Sequence, residues 1–364
     1  MIKDREQKHR ALRLSVANRW FPQLEVNVEP DRAIRERAGL VTDLDVLSSI
    51  PDEFRGFRTV IFDCKTSARE SAVNRALWLR GVMDRMTADA GFCIVKKELI
   101  EIDHRLAATR LGVILLAEDE FDLYGKVTCP SYQGSLGYAA DIDVWDQFFA
   151  IPSRFSKLRD ALEFLRSGYW MITDAAEACR KALAMLRNVR AELDPSKPEH
   201  IALFFDFCAL FARSLAIVTC HVFRAHLQPS TQAGLSEALL VMLYGGREAY
   251  EHRNDLFRLL KSKRLQADAP GLSLPEWERF LNLARQLLDA PVEAQQVPLI
   301  LREVGFSALR SDTSFAFAGQ LCTENRQAAK FAIFIPDYLC KAAKLPPEFA
   351  KAADDIIIPL QPVK

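Results

Sequence analysis

The stretch Thr42-Asp43-Leu44-Asp45-Val46-Leu47, followed after a turn-rich 51–56 by Phe57-Arg58-Thr59-Val60-Ile61-Phe62-Asp63-Cys64-Lys65-Thr66, reads as two successive β-strands. Side chains two apart on a strand share a face, so Asp63 and Lys65 are expected to project together, while Val60, Phe62 and Cys64 turn into apolar packing. Asp43 and Asp45 likewise share a face, and hairpin pairing would bring a second carboxylate beside Asp63. Burying two carboxylates and a lysine in a sheet is unfavourable unless something pairs them. A hard divalent cation does so, because Mg²⁺ takes one or two carboxylates together with waters and phosphate oxygens. Such an ion polarises a scissile phosphate and lowers the pKa of a bound water. The Lys65 ammonium would orient or help deprotonate that water and meet the developing negative charge. Phosphodiester hydrolysis is the reaction class expected.

Outward from these strands the period changes repeatedly. Residues 3–19 are helix-compatible and basic, 24–28 alternate as a strand, 31–37 form a charged loop, and 40–47 form a strand ended by Ser48-Ser49-Ile50-Pro51. Over 69–86, Ala72, Val73, Ala76, Leu77, Leu79, Val82, Met83 and Met86 recur at helical steps. A short apolar run at 92–95, a helix over 103–111 closed by Gly112, and an apolar strand at 113–116 follow. The order is helix, three strands, helix, strand, helix, strand, which predicts an α/β domain over 1–124. Loop signals place a linker at 125–137. The remainder, 138–364, is dominated by helical patterns at 144–149, 156–170, 173–193, 199–227, 233–243, 248–265 and 275–288. Segments 331–335 and 356–360 read equally as strands or as buried segments of another kind.

The N-terminal third resembles the PD-(D/E)XK restriction-endonuclease-like nuclease superfamily. The match is an acid on one strand (Asp45), the triplet Asp63-Cys64-Lys65 on the next, and a crossover helix from Arg69. The later Gly91-Phe92-Cys93-Ile94-Val95-Lys96-Lys97 and the 111–121 segment look like that fold's distal strands. The resemblance implies a mixed sheet flanked by helices, Asp45 and Asp63 as ligands of Mg²⁺ or Mn²⁺, and Lys65 as the catalytic lysine. Leu44 stands where the superfamily's proline precedes the first acid, and Glu6 is the counterpart of a glutamate found on the first helix of many members. Asp43 is either a metal ligand in place of Asp45, a neighbour that orients it, or a solvated acid at the strand start. Asp45 is preferred because it directly precedes apolar Val46 and Leu47.

Composition restricts the partners. The 48 Lys+Arg residues balance 48 Asp+Glu, so nucleic-acid binding has to rest on local patches rather than on global charge. One such patch lies in 1–20, with Lys8 and Arg10; a second lies at 258–264, with Lys261, Lys263 and Arg264. Either would track a phosphate backbone, and either reads equally as a solvated helix face. Arg75, with Ser67, Asn74 and Trp78, is a candidate for phosphate or base contacts, although a tryptophan at such spacing is more often core. Eight singly placed cysteines, without zinc-like spacing, fit a reducing cytoplasm. The first twenty residues lack the apolar centre of a signal peptide. The apolar 201–227 is interrupted by Asp206, Arg213 and Arg224, so it reads as a buried helix and no membrane is expected. The expected function is a metal-dependent endonuclease acting on nucleic acid, DNA in preference to RNA. The helical domain would gate it, assemble a homo-oligomer, or bind a co-encoded partner or activator, as in bacterial anti-phage or restriction systems. The rival is a catalytically silent nuclease-fold scaffold that works through its helices.

Overall fold

The computed structural model describes residues 2–30, 39–65, 71–96, 100–262, 273–311 and 314–361, with the side chains of Lys65 and Lys261 outside that description. The loop expected at 31–37 and the Ser67 contact candidate therefore lie outside the described residues.

The chain opens with helix α1 (Arg5–Ala17), whose buried stripe carries Leu12, Ser15 and Val16. Three strands follow: β1 (Phe21–Val28), β2 (Thr42–Asp52) and β3 (Gly56–Lys65). β2 does not end at Ser48. It continues because Phe21, Pro22 and Gln23 of β1 pair with Ser49, Ser48 and Leu47, and the buried Ser48 hydroxyl meets that of Ser15 at 2.7 Å. A polar Ser-Ser pair thus reads as a turn in sequence yet is satisfied inside the sheet. Helix α2 (Ala72–Met86) crosses to β4 (Ala90–Val95), and α3 (Ile102–Arg110) crosses to β5 (Val113–Ala117). Gly112 closes α3 with φ +73°, the left-handed position that glycine takes without strain. Helix α4 (Glu118–Thr128) follows.

The sheet order is β1-β2-β3-β4-β5. β1 and β2 are antiparallel, whereas β3–β4 and β4–β5 are parallel. The three residues 53–55 between β2 and β3 suit only an antiparallel hairpin. The mixed sheet has helices on both faces. Phe62 stacks on its partner Phe92, with ring centroids 4.9 Å apart, and both meet Phe121 of α4 edge-on. A Cβ on the adjacent Gly91 would meet Leu79 and Met83 of α2, so α2 covers the face opposite α4.

The remaining helices are α5 (Ile142–Phe149), α6 (Ile151–Arg154), α7 (Arg159–Arg166), α8 (Ala175–Val189), α9 (Pro198–His226), α10 (Gln232–Leu243), α11 (Arg247–Ser262), α12 (Trp277–Asp289), α13 (Val297–Ser307), α14 (Ala316–Glu324), α15 (Arg326–Ala343) and α16 (Glu348–Leu360). The ambiguous 331–335 and 356–360 are helical, within α15 and α16. In α15 the buried Ala328, Phe331, Ala332, Ile335 and Leu339 recur at helical spacing, a pattern that a five-residue window is too short to show.

The chain divides into two compact units. The first comprises Met1–Asp52, Phe57–Met171 and Gly305–Ala318; the second comprises Glu53–Gly56, Ile172–Val304 and Gly319–Lys364. The first unit thus extends well past residue 124. It includes 125–137, where α4 runs on to Thr128 and Gly125 lies under the Tyr132 ring in place of a linker. In the second unit, α9 is packed by α8, α10, α12 and α15. Among the described helices α9 alone is long and apolar enough to cross a membrane by length and composition, and most of its apolar stretch is buried by these neighbours. Its Asp206 carboxylate pairs with Arg302 of α13 at 2.6 Å, with both side chains out of solvent.

Candidate functional site

Asp45 and Asp63 stand on the neighbouring strands β2 and β3, 4% and 3% exposed. Asp43 is exposed at the start of β2, so of the two acids of the first strand Asp45 is the buried one. The Asp45 Oδ2 accepts a hydrogen bond from the Cys64 backbone N–H at 2.7 Å, which sets this carboxylate against the peptide that follows Asp63.

Each acid takes its counter-cation from a different helix. Lys8 of α1, 2% exposed, places its Nζ 2.9 Å from Asp45 Oδ1 and also donates to Glu25 Oε1. Burial pulls the Lys8 ammonium down, but the charges and hydrogen bonds of Asp45 and Glu25 outweigh that and hold it above its ordinary pKa. On the α2 side, the Arg75 guanidinium grips Asp63 with two donors. Its Nε lies 2.9 Å from Oδ2, and a terminal nitrogen bonds Oδ1. Arg75 in turn lies over the Trp78 ring, 4.1 Å from its centroid. The Cys93 thiol, opposite Asp63 in the β3–β4 register, donates to Asp63 Oδ2 at 3.4 Å. Burial and then the nearby Asp63 push that thiol up, so it stays a neutral donor. Cys64 is pushed up by burial and then by Asp45 and Asp63.

Glu25 extends the cluster. The flanking pairs Leu24↔Val46 and Val26↔Leu44 put it opposite Asp45. Its backbone is left-handed, φ 56°, which is uncommon for a non-glycine residue inside a strand. Arg166 of α7 secures it, with Nε donating to the Glu25 carbonyl at 2.7 Å and a guanidinium nitrogen 3.5 Å from Oε2.

Several residues expected to meet nucleic acid are engaged elsewhere. Lys8 and Arg75 are turned into the acid cluster instead of towards a phosphate backbone. Arg10 is half-buried between Glu118 and Asp122, at 3.4 and 3.1 Å. Glu6 is exposed, and Lys8 is the α1 residue that reaches the acids. Lys65 ends β3, paired in register with Val95. Lys263 and Arg264 lie outside the described residues, as does the Lys261 side chain.

The sequence carried a signal for two of these roles. Lys8 is four residues before Leu12 and eight before Val16, on the buried stripe of α1. Arg75 lies three residues after Ala72 and four before Leu79, on the buried stripe of α2. Nothing local marked Glu25, whose neighbours Leu24 and Val26 read as the buried phase of the strand.

Among the described residues no three or more His, Cys, Asp or Glu side chains gather as metal ligands. Two carboxylates, Asp45 and Asp63, are the groups that could hold a divalent ion here. Their hard oxygens fit Mg²⁺ or Mn²⁺, which need only one or two carboxylates beside water and phosphate oxygens. Lys8 and Arg75 compensate their charge in this arrangement. Comparison with family models, with curated proteins and with solved structures finds no match to this chain.

Proposed function

We propose that the first unit is a divalent-metal-dependent nuclease module that hydrolyses phosphodiester bonds, with DNA preferred over RNA. The observation that carries this is the placement of Asp45 against the peptide following Asp63, on adjacent strands of a mixed five-stranded sheet. The helix α2 directly after the Asp63-Cys64-Lys65 strand, and the parallel strands β4 and β5 beyond it, agree with the restriction-endonuclease-like arrangement expected from sequence.

Asp45 and Asp63 would hold the ion. Bound there, a divalent cation supplies charge for the phosphate and a water of lowered pKa. Lys65 would hold or move the proton of the attacking water at its Nζ and offset charge on the phosphoryl oxygens. Cys64 N–H keeps Asp45 Oδ2 oriented, and the Cys93 thiol does the same for Asp63 Oδ2. The helical second unit is assigned to gating, to self-association, or to a protein activator. By resemblance alone the setting is a cytoplasmic anti-phage or restriction system.

A second reading has its own support. Among the described residues, Lys8, Arg75 and Arg166 pair with Asp45, Asp63 and Glu25, so each of these acids has a counter-cation without a metal ion. A silent nuclease-like scaffold requires no more than that. Incubation of the purified protein with linear and supercoiled DNA and single-stranded RNA, in Mg²⁺ or Mn²⁺, separates the two. The nuclease reading expects metal-dependent cleavage that is lost in Asp63→Ala and in Lys65→Ala. Intact substrates under every condition favour the scaffold.

A further inference from the structure

Lys8 does more than neutralise one acid. Its ammonium bridges two carboxylates, Glu25 Oε1 and Asp45 Oδ1, from a position 2% exposed to solvent. We propose that Lys8 is a resident cation of the acid site, standing between Glu25 and Asp45 where a second metal ion would bridge them, so that the chain takes one divalent ion and not a pair. The proposal deepens the nuclease reading and rests on it.

Four observations converge. The register sets Glu25 opposite Asp45, which gives a facing pair of carboxylates, the hard oxygen donors a divalent ion takes. The left-handed backbone at Glu25 shows that its position is over-determined by the surroundings rather than a local preference. Arg166 secures Glu25 through both its carbonyl and its carboxylate. Lys8 itself projects from the buried stripe of α1. An ion entering between Glu25 and Asp45 would expel the ammonium and leave a lysine charge buried without its partners, which is strongly unfavourable. Asp63 stands outside this bridge, since its oxygens contact Arg75 and Cys93. Lys8 is accordingly a positioning residue, which acts through Asp45.

The test counts ions. Metal-free full-length protein is titrated with Mn²⁺, and free ion is followed by its paramagnetic resonance signal. Wild type is expected to bind one Mn²⁺ per chain. Lys8→Met, with native secondary structure verified by circular dichroism, is expected to bind two, and Glu25→Gln in that background returns the count to one. Two ions in the wild type overturn the proposal and leave the nuclease reading standing. No ion at millimolar Mn²⁺ overturns that reading and this inference with it. A count of one in both wild type and folded Lys8→Met overturns the role given to Lys8 alone. Should Lys8→Met fail to fold, Lys8→Gln, which keeps hydrogen-bond donors to both acids without the charge, takes its place: two ions are expected, and a count of one overturns the role given to Lys8.

Discussion

Asp45 reaches across from β2 so that its Oδ2 accepts the Cys64 backbone N–H at 2.7 Å, and the carboxylate thereby rests on the peptide directly after Asp63. The acids of the two strands become neighbours through the backbone of β3, while their counter-charges arrive from separate helices, Lys8 on α1 and Arg75 on α2. A side-chain acceptor on a strand N–H ties the strands together here and leaves one buried acid with little freedom to move.

Removing the shared cation should be costly to the fold. Lys8→Ala leaves Asp45 and Glu25 facing each other in the interior, and unfolding free energy is expected to fall by about 3–5 kcal/mol. Adding Asp45→Asn and Glu25→Gln should recover part of that loss. Urea denaturation measures both, and a loss below about 1 kcal/mol for Lys8→Ala would show that water or another cation replaces the ammonium.

The buried pair of the helical unit invites the same logic. Burial pushes the Asp206 carboxyl up, and Arg302 pulls it back only in part. Arg302→Met is expected to destabilise by about 3–5 kcal/mol, while Asp206→Leu combined with Arg302→Met destabilises less than the single change. A double variant that is worse than Arg302→Met would show that the pair is stabilising beyond its own charges.

Protonation of His200 should erode stability on the acid side of neutrality. Its Nδ1 accepts the Asp194 backbone N–H at 2.9 Å, and burial lowers its pKa below the ordinary 6.5. The unfolded chain then binds the proton first as the pH falls below 6.5, so this contribution is complete above that value and is lost as the pH drops towards the native pKa. Thermal melts between pH 7.5 and 5.5, about one pH unit either side of an ordinary histidine, should show the slope, and His200→Asn should reduce it.

Close packing of α2 on the sheet predicts intolerance at Gly91. A Cβ there would lie 2.7 Å from Met83 Sδ and 2.9 Å from Leu79 Cδ2. Gly91→Ala should destabilise by about 1–3 kcal/mol through overpacking, and Met83→Ala in that background should relieve part of it. A fully stable Gly91→Ala by chemical denaturation would mean that α2 shifts at little cost.

Element order in the α/β part was legible because the apolar period switches cleanly between two and three-to-four residues, as at Val60–Phe62–Cys64 against Ala72–Ala76–Leu79–Met83. Strand length was less legible. Ser48 and Ser49 carry turn character, yet pairing with Pro22 and Phe21 and the distant Ser15 hydroxyl hold them in β2. The acids could be located, with Asp45 preferred to Asp43, since apolar neighbours forecast burial. Their partners were legible only in part: Lys8 and Arg75 fall at helical spacing on the buried stripes of α1 and α2, but which cation meets which acid is set by tertiary packing. The extent of the first unit, to Met171 and including Gly305–Ala318, depends on contacts such as Trp145 against Phe306, which no local pattern carries.

The most direct test of the central claim is the single-turnover rate of DNA cleavage in Mn²⁺ by wild type and by Asp45→Asn, a nearly isosteric change that keeps an acceptor for the Cys64 N–H. Loss of the hard anionic ligand predicts a fall of at least about 100-fold with the fold intact, while Asp43→Asn cuts like wild type. Equal cleavage by wild type and folded Asp45→Asn would contradict the assignment of this acid pair to metal-dependent hydrolysis.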